Sequence, residues 1–315
     1  MSKVVQISIL GKVEGNVNAD ESIGSRITLK KMYSSAGEVL PFVSARAIKF
    51  AIRQALKEKG LPIDPLYHNP EAEETLKLQD IGKPEEYVDD DLFGFMVTSG
   101  KGEMARKRQA PIAISYFKAL KDTPIKTEFA ARFPRPWEKY EQEPSPIPFE
   151  VEVAEFIGRL NCIIYENVGR FEEKELLEES KRKLEKRKIG EVEFYVLPED
   201  ERKRRIKAFV ETFLTPSYVL PRRTNSLCIP QYICALIVLS EKGPLPIFQY
   251  LQYDFEKNEV DVEKLKELVE RKEVRESGAE FFFLDFLNDI EESKIPQPIL
   301  KIPISEAIQK IVDFI

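Results

Sequence analysis

The chain has 315 residues, 43% of them hydrophobic and 32% charged, with a net charge of -6. That length holds a large core in one or two domains. The acidic balance excludes bulk attraction to nucleic acid, so any polyanion contact must come from local basic patches.

Residues 4–10 alternate as a strand, and the N-terminus enters it without the layout of a signal peptide. Residues 11–23 read as a polar, glycine-containing loop, residues 26–33 as a second strand, and Gly37 turns the chain into a third at 39–43. Ser44 is then placed as an N-cap, its hydroxyl accepting from the free amides of a first turn. The spacing predicts a helix over residues 45–58. At roughly 100° per residue, Ala45, Ile48, Ile52, Ala55 and Leu56 share one arc, Arg46, Lys49, Arg53 and Lys57 the adjoining one, and Ala47, Gln54 and Glu58 the far side. A helix that needs only solubility scatters both signs over its wet side. Four cations beside a buried seam suit a polyanion, although the same stripe also serves as a snorkelling rim.

After Gly60 the periodicity breaks. Residues 61–91, rich in Pro, Glu and Asp, read as an insertion, and residues 91–97 return to the core. Residues 98–109 form a basic loop with one acid, Glu103, and residues 110–117 alternate as a strand. The proline-rich stretch 124–148 reads as a protruding arm or long hairpin, and its prolines argue against regular pairing as a central strand. Residues 149–168 are strand-rich, 171–188 a helix charged with both signs, and 199–213 another helix. Arg222 and Arg223 lie in a loop before a buried strand at 232–239. A charged helix at 262–273 and an apolar closing helix at 304–315 follow. Strands and helices interleave with long excursions, which predicts an α+β fold with a small sheet. No run of about 18 apolar residues exists, so no membrane contact is expected.

Three basic elements stand next to core elements: the helix face Arg46/Lys49/Arg53/Lys57, the loop Lys101/Arg106/Lys107/Arg108, and the loop Arg222/Arg223. Gly100-Lys101-Gly102 suits a backbone nest for a phosphate, but no GK[ST] follows, so it is not a P-loop. Phe50, at the edge of the basic arc, and Trp137, in the arm, are the aromatics placed to meet a base. Phe50 also suits the core, and Trp137 also suits a protein contact.

Cys162, Cys228 and Cys234 fit no zinc spacing and read as buried thiols of a reducing cytoplasm. His68 is the only histidine, which excludes metal sites that need two and leaves a Ser-His-Asp triad a single base to use. The polar loop 16–21 and the run Asp89-Asp90-Asp91 carry oxygen ligands, but without EF-hand spacing, and no metal or other cofactor is expected. Abundant Lys and Glu with scarce His and Cys resembles the composition of a thermophile protein.

Three segments carry a resemblance to a known family. They are Ile7-Ser8-Ile9-Leu10-Gly11-Lys12-Val13-Glu14-Gly15-Asn16-Val17-Asn18-Ala19-Asp20, running on to residues 26–31; Pro41-Phe42-Val43-Ser44-Ala45-Arg46-Ala47-Ile48-Lys49 with Ile52 and Arg53; and Asp91-Leu92-Phe93-Gly94-Phe95-Met96 followed by Lys107-Arg108-Gln109-Ala110-Pro111. In that order the chain resembles the DevR-type CRISPR backbone proteins, the repeated subunit of type I guide-RNA surveillance complexes. The family belongs to the RAMP superfamily. The resemblance implies a modified RRM/ferredoxin-like antiparallel sheet, the palm, with finger-like insertions and a thumb hairpin. The palm would occupy residues 1–60, 92–123, 149–170 and 228–252, with insertions at 61–91, 124–148 (the thumb candidate) and 171–227, and a C-terminal segment at 253–315. It implies copies stacked in a filament along a CRISPR guide RNA (crRNA) in the cytoplasm, beside other subunits of a Cascade-type antiviral complex, with target DNA reached through guide pairing. Ser44, Arg46, Lys49, Arg53, Lys57, Lys101, Arg106, Lys107, Arg108, Arg222 and Arg223 would grip the guide without reading its sequence, with no catalytic residue. The alternative is a metal-dependent endoribonuclease of the related type III kind, using Asp20 near the first strand.

Overall fold

The computed structural model describes residues 3–16, 19–68, 78–98, 105–132, 145–221 and 227–315. The first strand, β1 (Val4–Gly15), is the axis of a mixed sheet. Next along the chain come β2 (Ala19–Ile23), β3 (Arg26–Leu29), β4 (Lys31–Tyr33) and β5 (Val39–Val43), and then α1 (Ala45–Glu58). A short helix, α2 (Val88–Phe93), leads into the hairpin of β6 (Phe95–Val97) and β7 (Arg106–Arg108). After β8 (Ile112–Ile114), β9 (Phe117–Ala119) and β10 (Lys126–Arg132) comes the longest strand, β11 (Ile147–Tyr165). The rest is α3 (Glu199–Leu214), β12 (Gln231–Ser240), α4 (Val262–Glu270), β13 (Glu280–Asp285), β14 (Ile299–Lys301) and α5 (Ile304–Phe314). The fold is α+β, as the interleaved pattern predicts, but the sheet is large rather than small, and mixed rather than wholly antiparallel, since β14 runs parallel to β13 and β3 parallel to β11.

Across the sheet the order is β14-β13-β12-β1-β11-β9-β5-β4. β1 pairs antiparallel with β11 along its whole length, from Val4 opposite Tyr165 to Gly15 opposite Ala154, and with β12 on its other side. Its alternation assigns its faces. Val5, Ile7 and Ile9 enter the main core, beneath α1, α3 and α5. Leu10 enters a second core, made with β12, β13 and α4. Two polar side chains on β1 are spent on neighbours: Gln6 exchanges two hydrogen bonds with the Leu245 backbone, and Ser8 donates to Asn161. The sheet is thus covered on both faces, by helices and by the C-terminal segment. Gly158 lets β9 lie close, because a Cβ there would meet the Lys118 carbonyl at 2.7 Å.

Three further expectations change. Residues 171–188 are not one helix: they contain a 3-10 turn (Glu173–Glu175), a single helical turn (Glu178–Lys181) and a strand that pairs with Val192–Val196. Gly190, at φ 63, makes that hairpin turn. The loop expected over 11–23 is shorter, since β1 continues to Gly15 and β2 begins at Ala19. The described part of the arm is regular: β10 pairs residue for residue with β11, from Lys126 opposite Val153 to Arg132 opposite Ile147. The three cysteines are buried and form no disulfide among the described residues, and burial pushes the Cys162 and Cys234 thiols well up. Among the described residues no helix is long and apolar enough to cross a membrane.

Candidate nucleic-acid interface

The helix α1 forms where its pattern predicts. Ser44 sits in extended backbone and its Oγ accepts from the Ala47 amide at 3.2 Å. Ile48, Ala51, Ile52, Ala55 and Leu56 are buried, each large side chain contributing roughly 1.5–3 kcal/mol. The Ser44 hydroxyl is therefore occupied in capping.

The four cations of the helix face divide into two kinds. Arg46 and Lys57 are exposed, and Lys57 stands in the last turn, where a cation complements the helix dipole. Lys49 and Arg53 are half-buried and share one aromatic ring, with Lys49 Nζ 5.3 Å and Arg53 Cζ 5.1 Å from the Phe93 centroid. Burial, then the Arg53 charge, lowers the Lys49 pKa. Arg53 Nε donates to Asp89 Oδ2 at 2.9 Å. Phe50 is 53% exposed on the same helix, so it is not spent in the core. Sequence reasoning passed over a further aromatic pair: Phe42 and Tyr116, centroids 5.0 Å apart, at the strand that feeds α1. Lys118 lies opposite Phe42 in register, and Tyr116 is half exposed. The signal was the alternation around 110–117, which leaves Tyr116 off the buried face.

The second basic element corrects the expectation. β7 alternates, so Lys107 is exposed while its neighbours turn inward. Arg106 donates to the carbonyls of Gly82 at 2.7 Å and Ile81 at 3.2 Å. Arg108 has a side chain only 1% exposed. Its Nε donates to the Asp91 carbonyl, Nη1 to Glu175 and the Arg170 carbonyl, and Nη2 to Asp91 Oδ1 and the Asn167 carbonyl. A guanidinium has five N–H donors, so none is left for a phosphate. Arg108 is a structural cation and leaves the interface.

The run Asp89-Asp90-Asp91 is buried. Asp91 is matched by Arg108 and by Arg205 Nη1 at 2.9 Å, and also accepts from the Gly169 amide. Asp89 is held by Arg53 and the Asp64 amide. Asp90 accepts from the Lys83 amide. Burial, followed by the charges of Asp64 and Asp89, pushes its carboxyl up to about 8. Oxygens of Asp64, Asp80 and Asp90 lie within 4.8 Å of one another, but these carboxylates hold the backbone amides of Leu66, Ile81, Met96 and Lys83. Gly94, at φ 72, ends α2 and lets it pack against the Arg108 carbonyl, which joins the acidic helix to its arginine.

Lys101, Trp137, Arg222 and Arg223 lie outside the described residues, as does the side chain of Asp20. The described surface that remains is one strip: Arg46, Lys49, Arg53 and Lys57 on α1, with Phe50 among them. Lys107 is exposed on β7.

A family model described as CRISPR-associated negative auto-regulator DevR/Csa2 matches residues 9–260. Among solved structures, a chain of a "CRISPR RNA-guided surveillance complex" is similar at 12% identity and a TM-score of 0.56, over 98% of this chain and 99% of that one. A chain of a "CRISPR RNA-guided surveillance complex, pre-nicking" is similar at 12% identity and a TM-score of 0.60, with the same coverage. At that identity the likeness is one of fold. No curated protein matches the sequence.

Proposed function

The chain belongs to the CRISPR-associated DevR/Csa2 family, and from that premise we propose that it is a non-catalytic, guide-RNA-binding backbone subunit of a surveillance complex. The observation that carries the reading is the α1 face. Four cations lie there beside a buried seam, with no acid in the first turn and an exposed phenylalanine among them. Arg46 and Lys57 attract the phosphates, Lys49 and Arg53 contact them from a fixed ring, and Phe50 stacks on a base. Lys107 adds a further cation. Such contacts hold any sequence, as a subunit that leaves sequence reading to the guide requires.

The sheet supports a modified RRM-like palm. Its central order is β12-β1-β11-β9, with α1 between the first two strands in sequence and α3 before the last, all antiparallel. On this reading the palm comprises residues 1–60, 92–123, 149–170 and 228–252. The stretches 61–91, 124–148 and 171–227 are excursions, and residues 253–315 form the C-terminal segment, whose α4 covers the second face while α5 packs on the first. The arm suits contact between copies along the guide, because it exposes Phe129 and Ile147. Target DNA would reach the subunit through guide pairing, in the cytoplasm, beside other subunits of the complex.

The test is to purify the protein from its native cells and size any bound RNA. The reading expects guide RNA of one discrete length, with each copy protecting an equal interval from nuclease. Protein that emerges free of RNA, and binds none added, contradicts it.

A further inference from the structure

We propose that Asp89 is a positioning residue for the interface: it anchors Arg53 by one nitrogen so that the rest of the guanidinium is presented to a phosphodiester. The inference rests on the RNA-binding reading above and assigns a role to an acid that charge counting would place among the residues opposing it.

Arg53 and Arg108 differ in what they have left. Arg108 has spent every donor. Arg53 spends Nε on Asp89, and among the described residues Nη1 and Nη2 have no protein partner. Its side chain is 29% exposed, so those groups reach solvent. Two further contacts limit its movement. The Phe93 ring lies against the guanidinium, and the Asp89 carboxylate cannot swing, because its other oxygen accepts from the Asp64 amide at 2.8 Å and the residue is buried on α2. A long side chain held in one rotamer before the ligand arrives has less freedom to lose on binding. The planar fork then offers its two terminal nitrogens in fixed geometry, which suits two oxygens of one phosphate. Lys49, over the same ring, is held by no acid among the described residues and supplies charge without that geometry.

Charge counting and positioning predict opposite signs. Asp89→Asn removes a negative charge beside a phosphate site, so charge alone makes RNA binding tighter. Positioning makes it weaker, by about three- to tenfold. The experiment is a double-mutant cycle of Asp89→Asn and Arg53→Ala, read as affinity for a fluorescein-labelled single-stranded RNA of mixed sequence. Asp89→Asn should weaken binding in the wild-type background and change it less than about twofold when Arg53 is already alanine. Equal or tighter binding by Asp89→Asn overturns the proposal, as does equal weakening in both backgrounds, which would mark a general structural effect. Arg53→Lys covers the case in which Asp89→Asn unfolds. It keeps the net charge and the Asp64 contact, but an ammonium cannot hold Asp89 and present a fork. It should lose binding by a similar factor, and wild-type affinity for Arg53→Lys overturns the proposal. Wild-type protein that shows no salt-sensitive RNA binding removes the RNA reading itself, and this proposal with it.

Discussion

The face of α1 and the strand β7 are both basic, both adjacent to core, and both within the segments that resemble one family, yet they end in different environments. On α1 two of four cations are exposed, and among the described residues only Arg53 meets an acid. On β7 only Lys107 stays outside, while Arg106 is bonded to backbone carbonyls and Arg108 to two carboxylates. The cause is the company each keeps in space. The helix packs its apolar seam and leaves its cations at the rim. The strand brings Arg108 to Asp91 of α2, which has no access to solvent and needs a buried counter-charge. A basic cluster in an acidic protein therefore divides according to which buried acids lie within reach.

The sharpest way to break this contrast is Arg108→Ala. It leaves Asp91 with one arginine and strips Glu175 of its cation, and losing one member of a buried pair costs about 3–5 kcal/mol. The expected outcome is a much lower melting temperature, with RNA affinity of the folded fraction unchanged. An intact melting temperature with lost RNA binding would move Arg108 back to the interface.

The next effect comes from Asp90, the acid of that helix that meets no arginine among the described residues. Its folded-state carboxyl is pushed up to about 8, against an ordinary value of 3.8. Between those values the folded chain keeps a proton that the unfolded chain has released. This group therefore makes stability fall as pH rises from about 4 to about 8, by at most about 1.4 kcal/mol per pH unit, with no further loss above. Asp90→Asn cannot titrate and should gain on wild type over that window. Melting curves at about pH 5 and about pH 9 measure it, and a constant difference between the two proteins contradicts the assignment.

The smallest expected effect is none. Asp20→Ala should leave RNA as intact as wild type does when Mg²⁺ or Mn²⁺ is added, as seen by denaturing gel. Regular cleavage by wild type that the variant lacks would favour the endoribonuclease alternative.

The elements most legible in the sequence are those whose partners are local or periodic. α1 could be read from Ser44 and its apolar spacing, and β1 and β12 from alternation and apolar runs. Residues 171–188 were not legible as a hairpin. Mixed charges at short spacing read as a solvated helix, whereas here they pair across strands, as Lys186 does with Glu193 at 2.7 Å, around a glycine turn. The fate of Arg108 was also hidden, since its acids stand at positions 91 and 175. The site was half legible: the cations of α1 could be named, but not that Asp89 and Phe93 hold two of them.

The central claim is that the exposed cations of α1 and β7 bind an RNA backbone. It is tested most directly by titrating RNA at several salt concentrations with wild type and with the triple variant Arg46→Ala, Lys57→Ala, Lys107→Ala. These side chains are exposed, so folding should change by no more than about 0.5 kcal/mol for each. If each cation meets a phosphate, the slope of log affinity against log salt flattens by about 0.7 per contact, roughly 2 in all, and binding weakens alike on unrelated sequences. Superimposable lines for the two proteins would contradict the account and leave the basic face of α1 as a soluble rim.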